Sequence, residues 1–288
     1  MEFEVRTVTP TEAKRYLEKN TMNRKVRMAS VEAYARDMMS GDWKVNSQAI
    51  AFAEDGVLLD GQHRLMACVA ANVPFETLVV RGISKEAMPT IDTGAMRTYS
   101  DNLKMRGIGN SRNVAAAVRK WYFVKKYGVS SAYGGASQKK AKVTNSELDR
   151  FMQEHSDDLN LLQSIPSKKA SRLLGVPEST LTPLYLEFKD AAGLYAAQRF
   201  FDQLLDKHRG SYGNPADTCR TTLWSWASRR KSGEPISTRR QAACIIKAWN
   251  KWSAGECAHQ IKLANNQGQE KFPEIRKSAT LSTRWLED

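Results

Sequence analysis

The segment from Gly56 to Ala67 reads Gly-Val-Leu-Leu-Asp-Gly-Gln-His-Arg-Leu-Met-Ala and leaves the backbone few choices. An apolar strand, Val57 to Leu59, stops at Asp60-Gly61, and Gln62, His63 and Arg64 open a helix at once. The first N–H groups of a helix have no intrahelical acceptor, and the dipole there is positive. Together they favour an anion. Gly61 allows that anion close to the backbone, and His63 and Arg64 add side-chain donors. Phosphate is the predicted ligand. The alternative is a joint that serves only the fold, as most strand–Asp-Gly–helix joints do.

The residues around this joint predict a mixed α/β domain over residues 1–107. Phe3, Val5 and Val8 mark a first strand. Thr9-Pro10-Thr11-Glu12 has capping-box spacing with proline at the first helical position, and Ala13, Tyr16 and Leu17 form the inner face. Val31, Tyr34, Ala35, Met38 and Met39 make one buried helical stripe, ended by Gly41. Residues 49–53 and 57–59 read as paired strands about Asp55-Gly56, and Thr77 to Val80 as a buried strand. Beyond Asp101 strand signals disappear, and residues 108–288 are expected to form an all-helical domain. Its helices centre on the stripe Val114, Ala117, Val118, Trp121 and Tyr122, on a second capping box at Thr144-Asn145-Ser146-Glu147, and on spans near 181–205, 216–229 and 238–253. Residues 127–143, rich in Gly, Ser and Lys, read as a mobile basic loop. The expected fold class is therefore α+β.

Charge separates the two parts. The chain of 288 residues carries a formal net charge of +13, yet residues 1–100 hold 13 basic and 13 acidic residues, so the whole excess lies in the helical part. This asymmetry predicts a polyanionic partner, DNA first. A merely solvated basic surface is the alternative. Cys68, Cys219, Cys244 and Cys257 show no Cys-x-x-Cys spacing, which argues against a zinc site or disulfide framework and for reduced cytoplasmic thiols. No apolar run is long enough for a membrane span and no signal-peptide pattern opens the chain, so no membrane partner is expected. Monomer and homodimer both stay open.

The order helix, strand, turn, strand, Asp-Gly-x-His-Arg at a helix start, strand resembles the N-terminal domain of the ParB/sulfiredoxin-like superfamily. More narrowly, it resembles phage and bacterial ParB-like proteins with a DGQHR motif. Asn23-Arg24 with Arg27, Gly41-Asp42-Trp43, Gln48, and Ile91-Asp92-Thr93-Gly94 with Arg97-Thr98 fit the same group. The resemblance covers residues 1–107 and the remainder only loosely. It implies nucleotide or phosphoryl binding at the Gly61 turn. ParB reads Gly-Glu-Arg-Arg there and holds the triphosphate of CTP; sulfiredoxin reads Gly-Cys-His-Arg and uses the cysteine as nucleophile. Gln62 replaces both variants, and an amide is no sulfur nucleophile, so sulfinic-acid reduction is excluded. Asp101-Asn102 with Arg106 departs from the spacing of ParB's Glu-Asn-x-x-Arg box.

The candidate phosphate residues are thus Gly61, Gln62, His63 and Arg64, with Arg24, Arg27 and Arg97 completing an anion pocket around a nucleoside triphosphate, CTP or ATP. Arg64 is the leading donor because its fork suits phosphate; an ion pair to Asp60 or Asp92 is its alternative role. Asp60 and Asp92 are candidate Mg²⁺ ligands, with helix capping and an Asx-turn as the respective alternatives. In an enzymatic reading His63, Asp60 and Asp92 would be catalytic, for NTP hydrolysis, phosphoryl transfer or nuclease chemistry; a satisfied structural histidine is the alternative for His63. Arg229, Arg230, Lys231, Arg240, Lys247 and Lys251 are the candidate DNA-backbone contacts, and Trp249 and Trp252 read as core. Ser171–Leu181 resembles a helix-turn-helix core, although Pro183 would fall early in the recognition helix. The expected function is a nucleotide-binding, DNA-binding protein, with the Mg²⁺-dependent enzyme second and an interaction module third.

Overall fold

The computed structural model describes residues 1–91, 97–134, 142–158, 161–162, 167–206, 211–230, 236–263, 271–277 and 282–286. The chain divides into two compact units. Residues 1–99 and 139–151 form the first, and residues 100–138 and 152–288 the second. The division expected near residue 107 thus falls earlier, and a short later segment returns to the first unit.

In the first unit a mixed sheet has the order β1-β4-β2-β3. Its strands are β1 (Glu2–Val8), β2 (Ile50–Ala53), β3 (Leu58–Asp60) and β4 (Phe75–Ile83). β1 and β4 are antiparallel, with Glu2 opposite Arg81 and Val8 opposite Phe75. β2 and β3 form the expected hairpin, and β2 runs parallel to β4, as a crossover through a helix requires. Three helices supply the rest: α1 (Pro10–Leu17), α2 (Met28–Met39) and α3 (Gln62–Ala71). Thr9 and Glu12 form the complete capping box at the start of α1. Val8, Ala13, Val31, Ala35, Met38, Ile50, Leu65, Cys68 and Val79 share one core cluster with Phe52 and Phe75, and Tyr34 packs against it; of the predicted α2 stripe only Met39, at the last turn, is exposed. α3 ends at Asn72, whose φ of 52° is the left-handed cap that Asn tolerates.

The returning segment enters through the second capping box. Thr144 Oγ1 accepts from the Glu147 N–H at 3.1 Å, Glu147 Oε2 accepts from the Thr144 N–H at 3.0 Å, and α6 (Asn145–Glu154) begins there. Glu147 also accepts from Arg36 of α2 at 2.9 Å, while Arg36 donates to the Lys142 carbonyl at 2.6 Å. Arg150 pairs with Asp42 at 3.0 Å.

Among the described residues the second unit is helical. It contains most of α4 (Tyr99–Met105), then α5 (Ser111–Gly134), α7 (Ser167–Leu174), α8 (Glu178–Ala192), α9 (Leu194–Leu205), α10 (Pro215–Arg230) and α11 (Thr238–Ser253). Two expectations change. Residues 127–134, read as loop, continue α5 past a kink at Gly128, where φ is 79°; residues 135–141 lie outside the described residues. The single span 181–205 is two helices, broken at Gly193. α7, the turn 175–177 and α8 do have helix-turn-helix order. However, Thr180, Leu181, Thr182, Pro183, Leu184, Tyr185, Leu186 and Phe188 of α8 are all buried. A recognition helix needs an open face, so α8 is a core helix and the groove-binding reading is corrected. Trp249 stacks on Phe188 with centroids 4.3 Å apart and planes 6° from parallel, confirming it as core. No described helix is long and apolar enough to cross a membrane.

Candidate anion site at the start of α3

Gly61 caps α3 with a φ of 105°. A Cβ on it would lie 2.4 Å from Ile50 Cδ1 and 3.3 Å from Ile50 Cα, so the space beside this glycine is filled by the protein's own β2. Asp60 Oδ1 accepts from the Gly61 N–H at 2.7 Å, and its Oδ2 accepts from Arg64 Nη2 at 3.1 Å. Asp60 therefore closes the turn. Among the described residues no group of three or more His, Cys, Asp or Glu could hold a metal. Asp92 lies outside the described residues.

Arg64 is buried at 6% exposure. Nη1 donates to the Gln48 carbonyl, and Nη2 donates to the Ala49 carbonyl at 2.7 Å as well as to Asp60. Its fork ties the approach to β2 onto α3. The expectation that Arg64 leads phosphate binding is corrected to a structural role, because a guanidinium committed to two carbonyls and a carboxylate has little left to offer a ligand. Gln62, also buried, accepts from Asn20 Nδ2 at 3.2 Å and donates to the Arg24 carbonyl at 2.8 Å. It fastens the 20–24 loop rather than facing a ligand.

His63 is half-buried. Its Nε2 accepts from the Arg27 N–H at 3.0 Å. This fixes the neutral tautomer with the proton on Nδ1, which is then a donor. Burial lowers the His63 pKa, and the charges of Arg24, Lys142 and Arg27 lower it further against an opposing effect of Asp60. Three cations thus act on the start of α3, where the N–H groups of Gln62 and His63 have no protein acceptor among the described residues. Arg24 and Arg27 are exposed. Arg97 is exposed too, and its carbonyl faces Asn145 Nδ2 at 3.5 Å.

Lys142 is the member that sequence reasoning missed. It arrives on the returning segment, donates to Ser30 Oγ at 3.3 Å and lies 5.2 Å from the centroid of the Tyr34 ring. Burial lowers its pKa and Arg27 adds to the effect, with Asp37 opposing. The only local hint was the lysine-rich composition before Thr144. Asp37 itself is buried and accepts from Thr144 Oγ1 at 2.7 Å. Burial raises its pKa to about 6, Glu147 and Asp42 adding to the rise.

Asp37 makes the stability of this unit depend on pH. The folded carboxyl keeps its proton to about pH 6, whereas the unfolded group releases it near 3.8. The folded state therefore binds more protons between these values, and this contribution to stability falls as pH rises through the window. Asp37→Asn keeps an acceptor for Thr144 and should stabilise the unit by about 1–2 kcal/mol at pH 8 but by nearly nothing at pH 3.5. Thermal melts at the two pH values check this; an equal difference at both would refute it.

In the second unit the members of the predicted basic face differ in their contacts. Lys247 Nζ donates to the Lys262 carbonyl at 2.8 Å, Lys251 pairs with Glu256 at 3.0 Å, and Arg240 lies 5.2 Å from the Trp226 ring centroid. The stripe of α11 is thus partly covered by residues 256–262 rather than forming a flat phosphate track. The backbone of Arg229 and Arg230 ends α10, their side chains are not described, and Lys231 lies outside the described residues. Comparison of the chain with protein-family models, curated proteins and solved structures gives no match.

Proposed function

We propose that this chain is a nucleotide-responsive nucleic-acid-binding protein. Its first unit, a ParB/sulfiredoxin-like domain, takes the phosphates of a nucleoside triphosphate at the start of α3. The observation that carries this reading is His63 held by the Arg27 N–H at 3.0 Å beside two helix N–H groups, with the charges of Arg24, Lys142 and Arg27 all lowering its pKa. Like charges held together repel, and a polyphosphate would relieve that repulsion. In this arrangement His63 offers Nδ1–H, the helix start offers N–H groups, and Lys142 and the two arginines supply charge. Asp60 and Arg64 hold the turn in shape. Binding is favoured over turnover because the His63 Nε2 lone pair, which a general base would need, already accepts from Arg27. The second unit, which carries most of the excess positive charge, is the nucleic-acid partner surface in this reading.

The test is a thermal-shift and titration series with CTP, ATP and inorganic triphosphate, each with and without Mg²⁺. At 100 times Kd a ligand of the folded state adds about 2.7 kcal/mol of stability, so a shift is readily seen. Lys142→Ala and Arg27→Ala should each weaken binding about tenfold, on the scale of a charge-assisted contact. In nuclear magnetic resonance titrations the His63 pKa should rise when the anion binds, since a nearby negative charge favours imidazolium. If no polyphosphate shifts either the melt or the His63 resonances, the proposal fails.

A further inference from the structure

The second unit contains a cleft of about 850 Å³ between α10, the start of α11 and residues 258–263, within the size range of small-ligand sites. Its framework is fixed by the protein's own bonds. Asn214 caps α10 by accepting from the Ala216 N–H at 2.9 Å, the Ala258 N–H donates to the Gly213 carbonyl at 2.7 Å, and Thr218 donates to the Ala258 carbonyl. The Asp217 carboxylate in the cleft is paired with Arg220 at 2.6 Å. Arg240 and Lys262 add positive charge to the lining. Arg240 lies against Trp226, and its Nε is shielded from solvent without a hydrogen-bond acceptor among the described residues. At the rim Tyr212 is 88% exposed, with its ring centroid 4.8 Å from that of His259 and the planes tilted by 40°.

An exposed aromatic pair lining the same cleft as a guanidinium whose Nε has no acceptor among the described residues suits a ligand with a flat ring and an attached anion. We infer that the cleft receives a nucleotide unit, its base against Tyr212 and His259 and its phosphate against Arg240 and Lys262. This deepens the nucleic-acid half of the reading above and rests on it. Sequence-tolerant single-strand sites combine the same two elements, aromatic platforms and a cationic track.

The experiment is fluorescence anisotropy on the full chain with three probes: a ten-residue oligothymidylate, a duplex of equal length, and thymidine monophosphate as competitor. Tyr212→Ala, at a position exposed enough to leave the fold intact, should weaken oligothymidylate binding about tenfold, the loss of one base–aromatic stack. Tyr212→Phe should retain it. Lys262→Ala should lower the salt dependence by about one phosphate contact. Competition by the monophosphate at affinity equal to the oligomer would identify the occupant as a free nucleotide in the same cleft. If Tyr212→Ala and Arg240→Gln, each checked by circular dichroism, bind the oligomer as tightly as wild type, the inference is overturned while duplex binding stands. If neither the oligomer nor the duplex binds, the nucleic-acid reading of the second unit falls with it.

Discussion

Arg64→Ala should unfold the first unit before it reveals anything about a ligand. Three hydrogen bonds leave with the guanidinium, and the carbonyls of Gln48 and Ala49 and the carboxylate of Asp60 lose their donor. Leaving the two carbonyls without their donor costs about 1–3 kcal/mol each, the partly exposed Asp60 adding little, and the total is a large part of the stability of a domain this size. The expected result is a fall of the first unit's melting transition by roughly 12–20 °C or more, with early hydrogen exchange at the α3 amides. Arg64→Lys should recover only part of this, because an ammonium lacks the planar fork that spans two carbonyls and a carboxylate. A variant that melts like wild type but loses triphosphate binding would restore Arg64 to the ligand and remove the structural account. The consequence for the proposed function is practical. Loss of nucleotide binding in an Arg64 variant that melts early does not implicate Arg64 in binding, so the phosphate site has to be probed at Lys142 and Arg27.

The contrast between Arg64 and Lys142 shows which information the sequence holds. Features set within one helical turn were legible: the Thr9–Glu12 and Thr144–Glu147 capping boxes, the Val31–Met38 stripe, and the stop at Asn72. Each depends on neighbours three or four positions away. The role of Arg64 depends on carbonyls 15 and 16 residues earlier in the chain, and a forked donor at a helix start looks the same whether it serves a phosphate or a strand. Lys142 comes against Ser30 and Tyr34 of α2, where its charge acts on His63, only because the segment behind it folds back through Glu147 and Arg36. Glu147 could be read as a helix cap, but its second partner on α2 could not. A similar ambiguity affected α8: turn chemistry at 175–177 predicted two helices in the right order, while burial on nearly every side of the second depends on what packs around it. Local pattern sets elements; long-range closure decides which side chains are left for chemistry.

Gly61→Ala should be nearly as damaging as the loss of Arg64, for a reason opposite to the one that first makes this glycine conspicuous. A glycine before a helix is ordinarily read as room for an anion. Here the room is taken by Ile50: an added methyl group would sit 2.4 Å from Ile50 Cδ1 and 3.3 Å from its Cα, at a φ of 105° that side chains seldom adopt. The backbone conformation alone costs about 1–2 kcal/mol for a non-glycine residue, and overpacking adds about 1–3 kcal/mol, so a loss of about 3 kcal/mol is expected. Ile50→Val separates the two contributions, since valine lacks the offending methyl. Alone it should cost about 1 kcal/mol for the buried group removed. Combined with Gly61→Ala it should be nearly neutral or restore stability, leaving chiefly the backbone penalty. A double-mutant cycle by urea denaturation measures the coupling. A coupling energy near zero would mean that Ile50 does not govern this position, and the space beside Gly61 would again be available to a ligand. A coupling above about 1 kcal/mol would establish that the turn is closed from within, so that any bound phosphate meets α3 from the side of His63 and Lys142.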